Sequence, residues 1–148
     1  MNKAKRHLYI EVSKGGYRPF EPDKEEKQRL TILDNGLVWF TTYGLKTESA
    51  WQYKAMRKER HRISAEQANG IIDRALALIT DDKVQDELFV MECDAEPDTI
   101  TIVDTDGKYF SKRFYNWSAP VSQELYAEIR TVLKIDMLLE FDYQFQTE

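Results

Sequence analysis

The same series of patterns, a strand followed by a hairpin and a helix, occurs twice along this chain of 148 residues. The first copy lies at 8–13, 29–43 and 64–79. The second copy lies at 88–93, 99–115 and 121–135. The two hairpins also resemble each other, because LTILDNG precedes one bend and ITIVDTDG precedes the other. The repetition predicts a single domain built from two related halves, at about 8–80 and 86–146.

Turn and capping residues mark where these elements begin and end. The run Asp34-Asn35-Gly36 predicts a hairpin bend, since Asn and Gly accept the positive φ that such turns require. Ser64 and Gln67 have the spacing of a capping box, and an apolar stripe follows them at helical spacing. Pro120 is typical of the first turn of a helix, and it starts the second helical pattern.

Two further segments complete the predicted sheet. Residues 54–62, KAMRKERHR, are too charged for a central strand and predict an edge strand, where Lys and Arg discourage unwanted pairing. Residues 137–146 alternate apolar and polar side chains and predict a final strand. The patterns together predict an α+β fold, in which two strand-hairpin-helix units form an antiparallel sheet and both helices pack on one face.

Composition and charge exclude several classes of protein. Hydrophobic residues make up 42% of the chain, no apolar run approaches the roughly 20 residues that span a bilayer, and the N-terminus lacks the apolar run of a signal peptide. The single cysteine, Cys93, cannot form an internal disulfide, so we expect a cytoplasmic protein away from membranes. Residues 1–62 hold 14 Lys and Arg against 8 Asp and Glu (+6), and residues 63–148 hold 7 against 18 (−11). This asymmetry predicts either oppositely charged partner surfaces or two halves whose fields partly cancel.

Residues 92–136 carry a set of short motifs. They contain CDAEPDTITI, then DGK, FYN and AP, and finally a helical pattern that ends in KID. In these motifs the segment resembles a small bacterial domain of unknown function, which has an acidic loop, a TxT-type strand, a GK turn and a proline-led final helix. The resemblance implies an α+β fold and implies no activity, because that family has none assigned.

Five carboxylates on two predicted loops are the candidate ligands for a hard cation; they are Asp94, Glu96, Asp98, Asp104 and Asp106. The sixth and twelfth positions counted from Asp94 are Thr99 and Thr105, which excludes an EF-hand loop. The two groups also lie at opposite ends of one predicted strand, about 17 Å apart or more. We therefore expect no metal site and no cofactor.

The segment 51–62 mixes aromatic residues with cations. Aromatic residues and Arg are favoured anchors of protein interfaces, and loop aromatics elsewhere in the chain add to this set. Nucleic-acid binders use the same residue types but are usually strongly basic, whereas this chain has a pI of about 5.2, so a nucleic-acid partner is disfavoured. We predict solvent-exposed binding residues at Trp51, Tyr53, Arg57, Arg60 and Trp117.

No catalytic motif is present, since GxSxG, HExxH, CxxC and phosphate-binding glycine loops are all missing. We therefore predict no catalytic residue and a non-enzymatic protein-binding module of the immunity, inhibitor or accessory type. One alternative is a small-ligand-binding protein or enzyme with a pocket between the sheet and segment 44–62, where His61 and a carboxylate act as acid and base. Another is a structural, oligomer-forming protein, for example a homodimer through an edge strand such as the C-terminal one.

Overall fold

The computed structural model of the protein describes residues 4–13, 24–46, 52–84, 97–114 and 120–140. Within these ranges the chain forms six strands and two helices: β1 (His7–Ser13), β2 (Glu25–Leu33), β3 (Leu37–Leu45), β4 (Tyr53–Arg62), α1 (Ala65–Thr80), β5 (Asp98–Val103), β6 (Tyr109–Phe114) and α2 (Pro120–Val132). The strand predicted at 88–93, residues 141–146 of the tail, Trp51 and Trp117 lie outside the described residues.

The six described strands form one antiparallel sheet in the order β4-β3-β2-β1-β5-β6. The predicted α+β fold with an antiparallel sheet is confirmed. β1 lies near the centre because it pairs with β2 on one side and with β5 on the other. It therefore joins the hairpin β2–β3 to the hairpin β5–β6. The charged segment at 54–62 belongs to β4, which is an end strand of this order, as the edge-strand prediction required.

The bend between β2 and β3 depends on Gly36. This residue has a φ of 97°, and a Cβ built on it would lie 2.1 Å from the carbonyl oxygen of Ile63. The close approach arises because Ile63 N donates a hydrogen bond of 2.8 Å to Gly36 O. Any L side chain here would both strain the backbone and collide with the end of β4. The turn predicted from Asp34-Asn35-Gly36 is therefore confirmed. Gly36 also contacts the end of β4, which the sequence did not predict.

Burial alternates along the strands and places one set of side chains in the core. The largest fully buried side chains in the described residues include Leu8, Ile10, Phe40, Phe114 and Tyr126. Helix α1 adds a stripe to the core that agrees with the predicted one: Ala68, Ile71, Ile72, Ala75 and Ile79. α1 contacts β1, β2, β5 and β6 as well as α2. Burial of such side chains is the main stabilising contribution, about 1.5–3 kcal/mol for each large one.

Helix α1 begins with the predicted capping box. Gln67 N donates to Ser64 Oγ at 2.9 Å, and Ser64 N donates to Gln67 Oε1 at 3.1 Å. Two backbone N–H groups that have no partner within the helix are thereby satisfied. The second helix, predicted at 121–135, begins one residue earlier, at Pro120, and ends three residues earlier, at Val132.

The predicted final strand is wrong at its start. Residues 136–139 form turns, Met137 and Leu139 have φ values of 60° and 55°, and the consecutive residues Leu138 and Leu139 are both buried. The buried side chain of Gln28 explains the change, since its Nε2 donates to Met137 O (2.6 Å) and its Oε1 accepts from Leu139 N (2.7 Å). These bonds offset the left-handed conformation, which costs about 1–3 kcal/mol per residue. In the described part of the tail, up to residue 140, the predicted strand is therefore replaced by a turn.

A buried polar pair connects α2 to the sheet. Tyr126 Oη donates a hydrogen bond of 2.9 Å to Asp98 Oδ2, and both residues are 1% exposed. Asp98 is the first residue of β5. Asp104 and Asp106 lie beyond the other end of that strand, in the bend before β6. Asp98 is therefore part of the core rather than of a solvent-exposed acidic loop.

Candidate binding surface

The sheet has a second set of side chains that alternates with the buried one. Residues directly opposite each other on antiparallel strands share a face, so the strand pairing assigns this set across the whole sheet. We call it the open face, and its principal residues are Tyr9, Glu11, Lys27, Arg29, Thr31, Trp39, Thr41, Tyr43, Tyr53, Lys58, Arg60, Arg62, Thr99, Thr101, Tyr109 and Arg113. Most of these side chains are exposed or half-buried.

The structure does not bring the predicted binding residues together on one surface. Tyr53 and Arg60 belong to the open face, opposite Leu45 and Trp39. Arg57 lies opposite Thr42, whose side chain is buried, so it belongs to the other face. Arg57 and Arg60 therefore lie on opposite faces of the sheet, because residues three apart on a regular strand point in opposite directions. Trp51 and Trp117 stay predictions, since they lie outside the described residues.

Arg57 is held by four acceptors around the edge of the sheet. Its Nε and Nη2 donate to the two carboxylate oxygens of Glu25 at 2.6 and 3.0 Å. Its Nη1 donates to Glu59 (3.1 Å) and its Nη2 also donates to the carbonyl oxygen of Asp136 (3.0 Å). The hydrogen bonds that Arg57 donates to Glu25 raise the pKa of Arg57 above its ordinary value. Arg57 therefore ties β2, β4 and the turn at 136–139 together.

The same side of β4 carries His61, the residue of the enzyme alternative. His61 Nε2 lies 2.8 Å from Glu59 Oε1, and each side chain is about one-third exposed, at 33% and 32%. The pair has the geometry of an acid and a base. However, the other carboxylate oxygen of Glu59 is already bound by Arg57. Residues 53–62 are also a strand of the sheet itself, so this part of segment 44–62 does not lie above the sheet to enclose a pocket.

A carboxylate lies at the centre of the open face and organises its neighbours. Glu11 Oε1 accepts from Tyr9 Oη (2.8 Å) and from Arg29 Nε (2.9 Å), and Glu11 Oε2 lies 3.4 Å from Lys27 Nζ. Burial raises the pKa of Glu11, but the hydrogen bond from Tyr9 and the charges of Lys27 and Arg29 outweigh it and lower that pKa. Burial and the Glu11 carboxylate raise the pKa of Tyr9.

Two aromatic rings of the open face are already stacked with the protein's own cations. Lys27 Nζ lies 4.5 Å from the centre of the Tyr53 ring, and the Arg29 guanidinium lies 4.8 Å from the centre of the Tyr43 ring. Such cation–π contacts contribute about 0.5–1 kcal/mol at exposed sites. They also cover one side of each ring.

The β4 end of the open face is different, because its cations are not neutralised. Lys58, Arg60 and Arg62 are exposed, and they form no ion pair with any residue in the described ranges. Trp39, directly opposite Arg60, is 43% exposed. Sequence reasoning missed Trp39 because it searched the loops for aromatic residues. The alternation in VWFTTY places Trp39 and Tyr43 on the face away from the buried Val38 and Phe40, and it was the available signal.

The open face is basic although the chain is acidic. It carries one described carboxylate, Glu11, and six cations: Lys27, Arg29, Lys58, Arg60, Arg62 and Arg113. The net charge of the whole chain is −5. The positive field is therefore local to this face of a molecule that is negative overall.

The described residues contain neither a metal-binding cluster nor a membrane-spanning helix. No group of three or more His, Cys, Asp or Glu side chains is arranged there to hold a metal ion. Among the described helices, none has the length and apolar character needed to cross a membrane. Comparison of the chain with protein-family models, curated proteins and solved structures finds no match.

Proposed function

We propose that this protein is a non-enzymatic binding module that recognises a protein partner through the open face. The observation that carries the proposal is the juxtaposition of exposed Trp39 with Arg60, flanked by Lys58 and Arg62, all without an ion pair in the described part of the chain. Trp and Arg are enriched among the residues that dominate interface energetics. The surrounding cations supply steering toward an acidic partner.

A protein partner fits the open face better than a nucleic acid does. Base stacking needs free aromatic faces, and Lys27 and Arg29 already cover one side of the Tyr53 and Tyr43 rings. The net charge of −5 opposes approach to a polyanion.

The proposal includes the earlier predictions on the helices, on Trp51 and Trp117, and on the location and type of the protein. Both helices cover the face opposite the open face, and each belongs to one strand-hairpin-helix unit; the contact between α1 and α2 supports this arrangement. Trp51 and Trp117 extend the interface, and the protein acts in the cytoplasm as an immunity, inhibitor or accessory protein. The resemblance of residues 92–136 to a bacterial domain of unknown function agrees with such a role and assigns no activity.

The experiment compares capture of partners by three forms of the protein from nuclease-treated lysate of the cells that make it. Wild type and the double variant Trp39→Ala/Arg60→Glu are compared with Lys134→Glu, a charge reversal at an exposed residue away from the sheet. We expect a protein that wild type and Lys134→Glu retain and that the double variant loses, with weaker retention at higher salt. The same proteins on all three forms would contradict the proposal, and so would a partner that is captured only from a parallel lysate without nuclease.

A further inference from the structure

The outer edge of β4 has backbone groups that point away from the sheet. β4 is an end strand of the described sheet, and it is ten residues long. Ile63 N donates to Gly36 O, toward β3, and Arg57 N donates to the side chain of Thr42, also on β3. Backbone N–H groups alternate in direction along a strand, so those of Glu59 and His61 also point to β3. The N–H and C=O groups of Lys58, Arg60 and Arg62 therefore point outward.

The same three residues provide the unpaired cations of the open face. Alternate residues of a strand are about 7 Å apart, so Lys58, Arg60 and Arg62 form a straight row of positive charge. The intervening residues are neutralised among themselves, since Glu59 binds both Arg57 and His61 on the other side. One edge of β4 thus combines outward backbone donors and acceptors with a regular row of cations that have no ion pair among the described residues.

We propose that β4 takes an extended acidic segment of a protein partner as an additional antiparallel strand of the sheet. Residues directly opposite Lys58, Arg60 and Arg62 exchange backbone hydrogen bonds with them and place their side chains on the open face. Acidic residues at alternate positions of the partner therefore meet the three cations one to one. Trp39, beside Arg60, gives the central acidic position an apolar neighbour. This inference rests on the proposed function and adds the chemistry of the partner and its mode of docking.

Charge selects against the other obvious occupant, a second copy of β4. An antiparallel pairing of two β4 strands centred on Arg60 would place Arg60 opposite Arg60 and Lys58 opposite Arg62. Like charges directly opposite each other destabilise a strand pair. The row of cations thus prevents self-association of an exposed edge while leaving it open to acidic strands.

The first test uses a synthetic peptide, Thr-Glu-Thr-Glu-Thr-Glu-Thr, with capped ends and a fluorescent label. Glu opposite Arg60 lies in a hydrogen-bonded pair, so N-methylation of the three Glu residues blocks docking, whereas N-methylation of the internal Thr residues does not. We expect saturable binding of the parent and Thr-methylated peptides and at least a tenfold loss for the Glu-methylated peptide. We also expect slower hydrogen exchange at the amides of Lys58, Arg60 and Arg62 in the complex.

The second test removes the outward N–H from the protein. Arg60→Pro and Arg60→Ala lose the same charge, but only the proline variant loses the outward donor, and neither interrupts the bonds to β3. We expect the proline variant to bind the peptide about fivefold more weakly than the alanine variant. Thermal melts of both variants check that the fold is kept, and the methylated peptides test the same bond on unmodified protein.

Three results would overturn the inference: no saturable binding up to about 1 mM peptide, equal binding of the two methylated peptides, or tighter binding of an oligothymidylate than of the Glu peptide. Suppose that the peptide shows no saturable binding while the Trp39→Ala/Arg60→Glu variant still fails to capture a protein that wild type captures. In that case the open face is an interface, but β4 does not add a strand. If both experiments fail, the proposed function fails with the inference.

Discussion

Arg57 and Arg60 lie three residues apart on β4 and point to opposite faces of the sheet. Arg57 forms two hydrogen bonds with the carboxylate of Glu25, and Arg60 lies beside the exposed Trp39 on the open face. Their sequence neighbourhood is equally basic, yet Arg57 is part of the framework and Arg60 forms no ion pair with any described residue.

Replacing these two arginines separately is expected to give different stabilities. Arg57→Ala removes hydrogen bonds to two carboxylates and to Asp136 O, so we expect the free energy of unfolding to fall by about 1–3 kcal/mol. Arg60→Ala is expected to change it by no more than about 0.5 kcal/mol. Urea denaturation of both variants beside wild type measures the difference. Equal losses would show that Arg57 contributes nothing through its hydrogen bonds.

The Glu11 cluster is expected to make stability depend on acid pH. The folded pKa of Glu11 is lower than its ordinary value of 4.5, so its stabilising contribution is present above that value and is lost as the pH falls through the folded pKa. The free energy of unfolding of wild type should therefore exceed that of Glu11→Gln by about 1–2 kcal/mol at pH 7. Most of this difference should be lost at pH 3. Denaturation midpoints at pH 7, 5 and 3 measure it, with Glu124→Gln as the exposed control. A difference that does not change with pH would contradict the role of the Glu11 charge.

The buried pair Tyr126–Asp98 is expected to stabilise the position of α2. Tyr126→Phe keeps the ring and removes the donor to Asp98 Oδ2, leaving a buried carboxyl with one bond fewer. We expect a loss of about 1–3 kcal/mol in the free energy of unfolding. Tyr109→Phe is the matched control, since Tyr109 is 69% exposed, and it should have almost no effect. The same small loss in both variants would show that the buried hydrogen bond has no net effect.

Glycine at position 137 is expected to stabilise the protein. Met137 has a φ of 60° and a side chain that is 46% exposed, so glycine relieves backbone strain while removing little burial. We expect the free energy of unfolding to rise by about 0.5–1 kcal/mol. The rise is smaller than the strain that is relieved, because glycine has greater conformational freedom in the unfolded chain. Thermal and urea unfolding measure it. Met137→Ala is the control that keeps the strain, and a glycine variant less stable than the alanine variant would contradict the prediction.

Much of the local structure followed from the sequence because it depends on neighbouring residues. Gly36 determines its bend, Ser64 and Gln67 cap α1, and the charges of 54–62 excluded a central strand. These are properties of short segments, in which alternation, helical spacing and backbone conformation already decide the outcome. The antiparallel α+β sheet then follows from burying the apolar side of each element.

The sequence by itself thus determined the type and approximate position of most described elements, and tertiary structure decided which side chains lie on the open face. Residues 137–140 begin a segment whose side chains alternate like those of a strand, but Gln28, more than 100 residues earlier, binds the backbone of Met137 and Leu139, which lie in a turn. The open face likewise depends on pairing, since Trp39 meets Arg60 only when β3 and β4 are in register. Strand direction and register are long-range properties. The sequence of a basic segment therefore does not show which of its cations will form ion pairs within the fold.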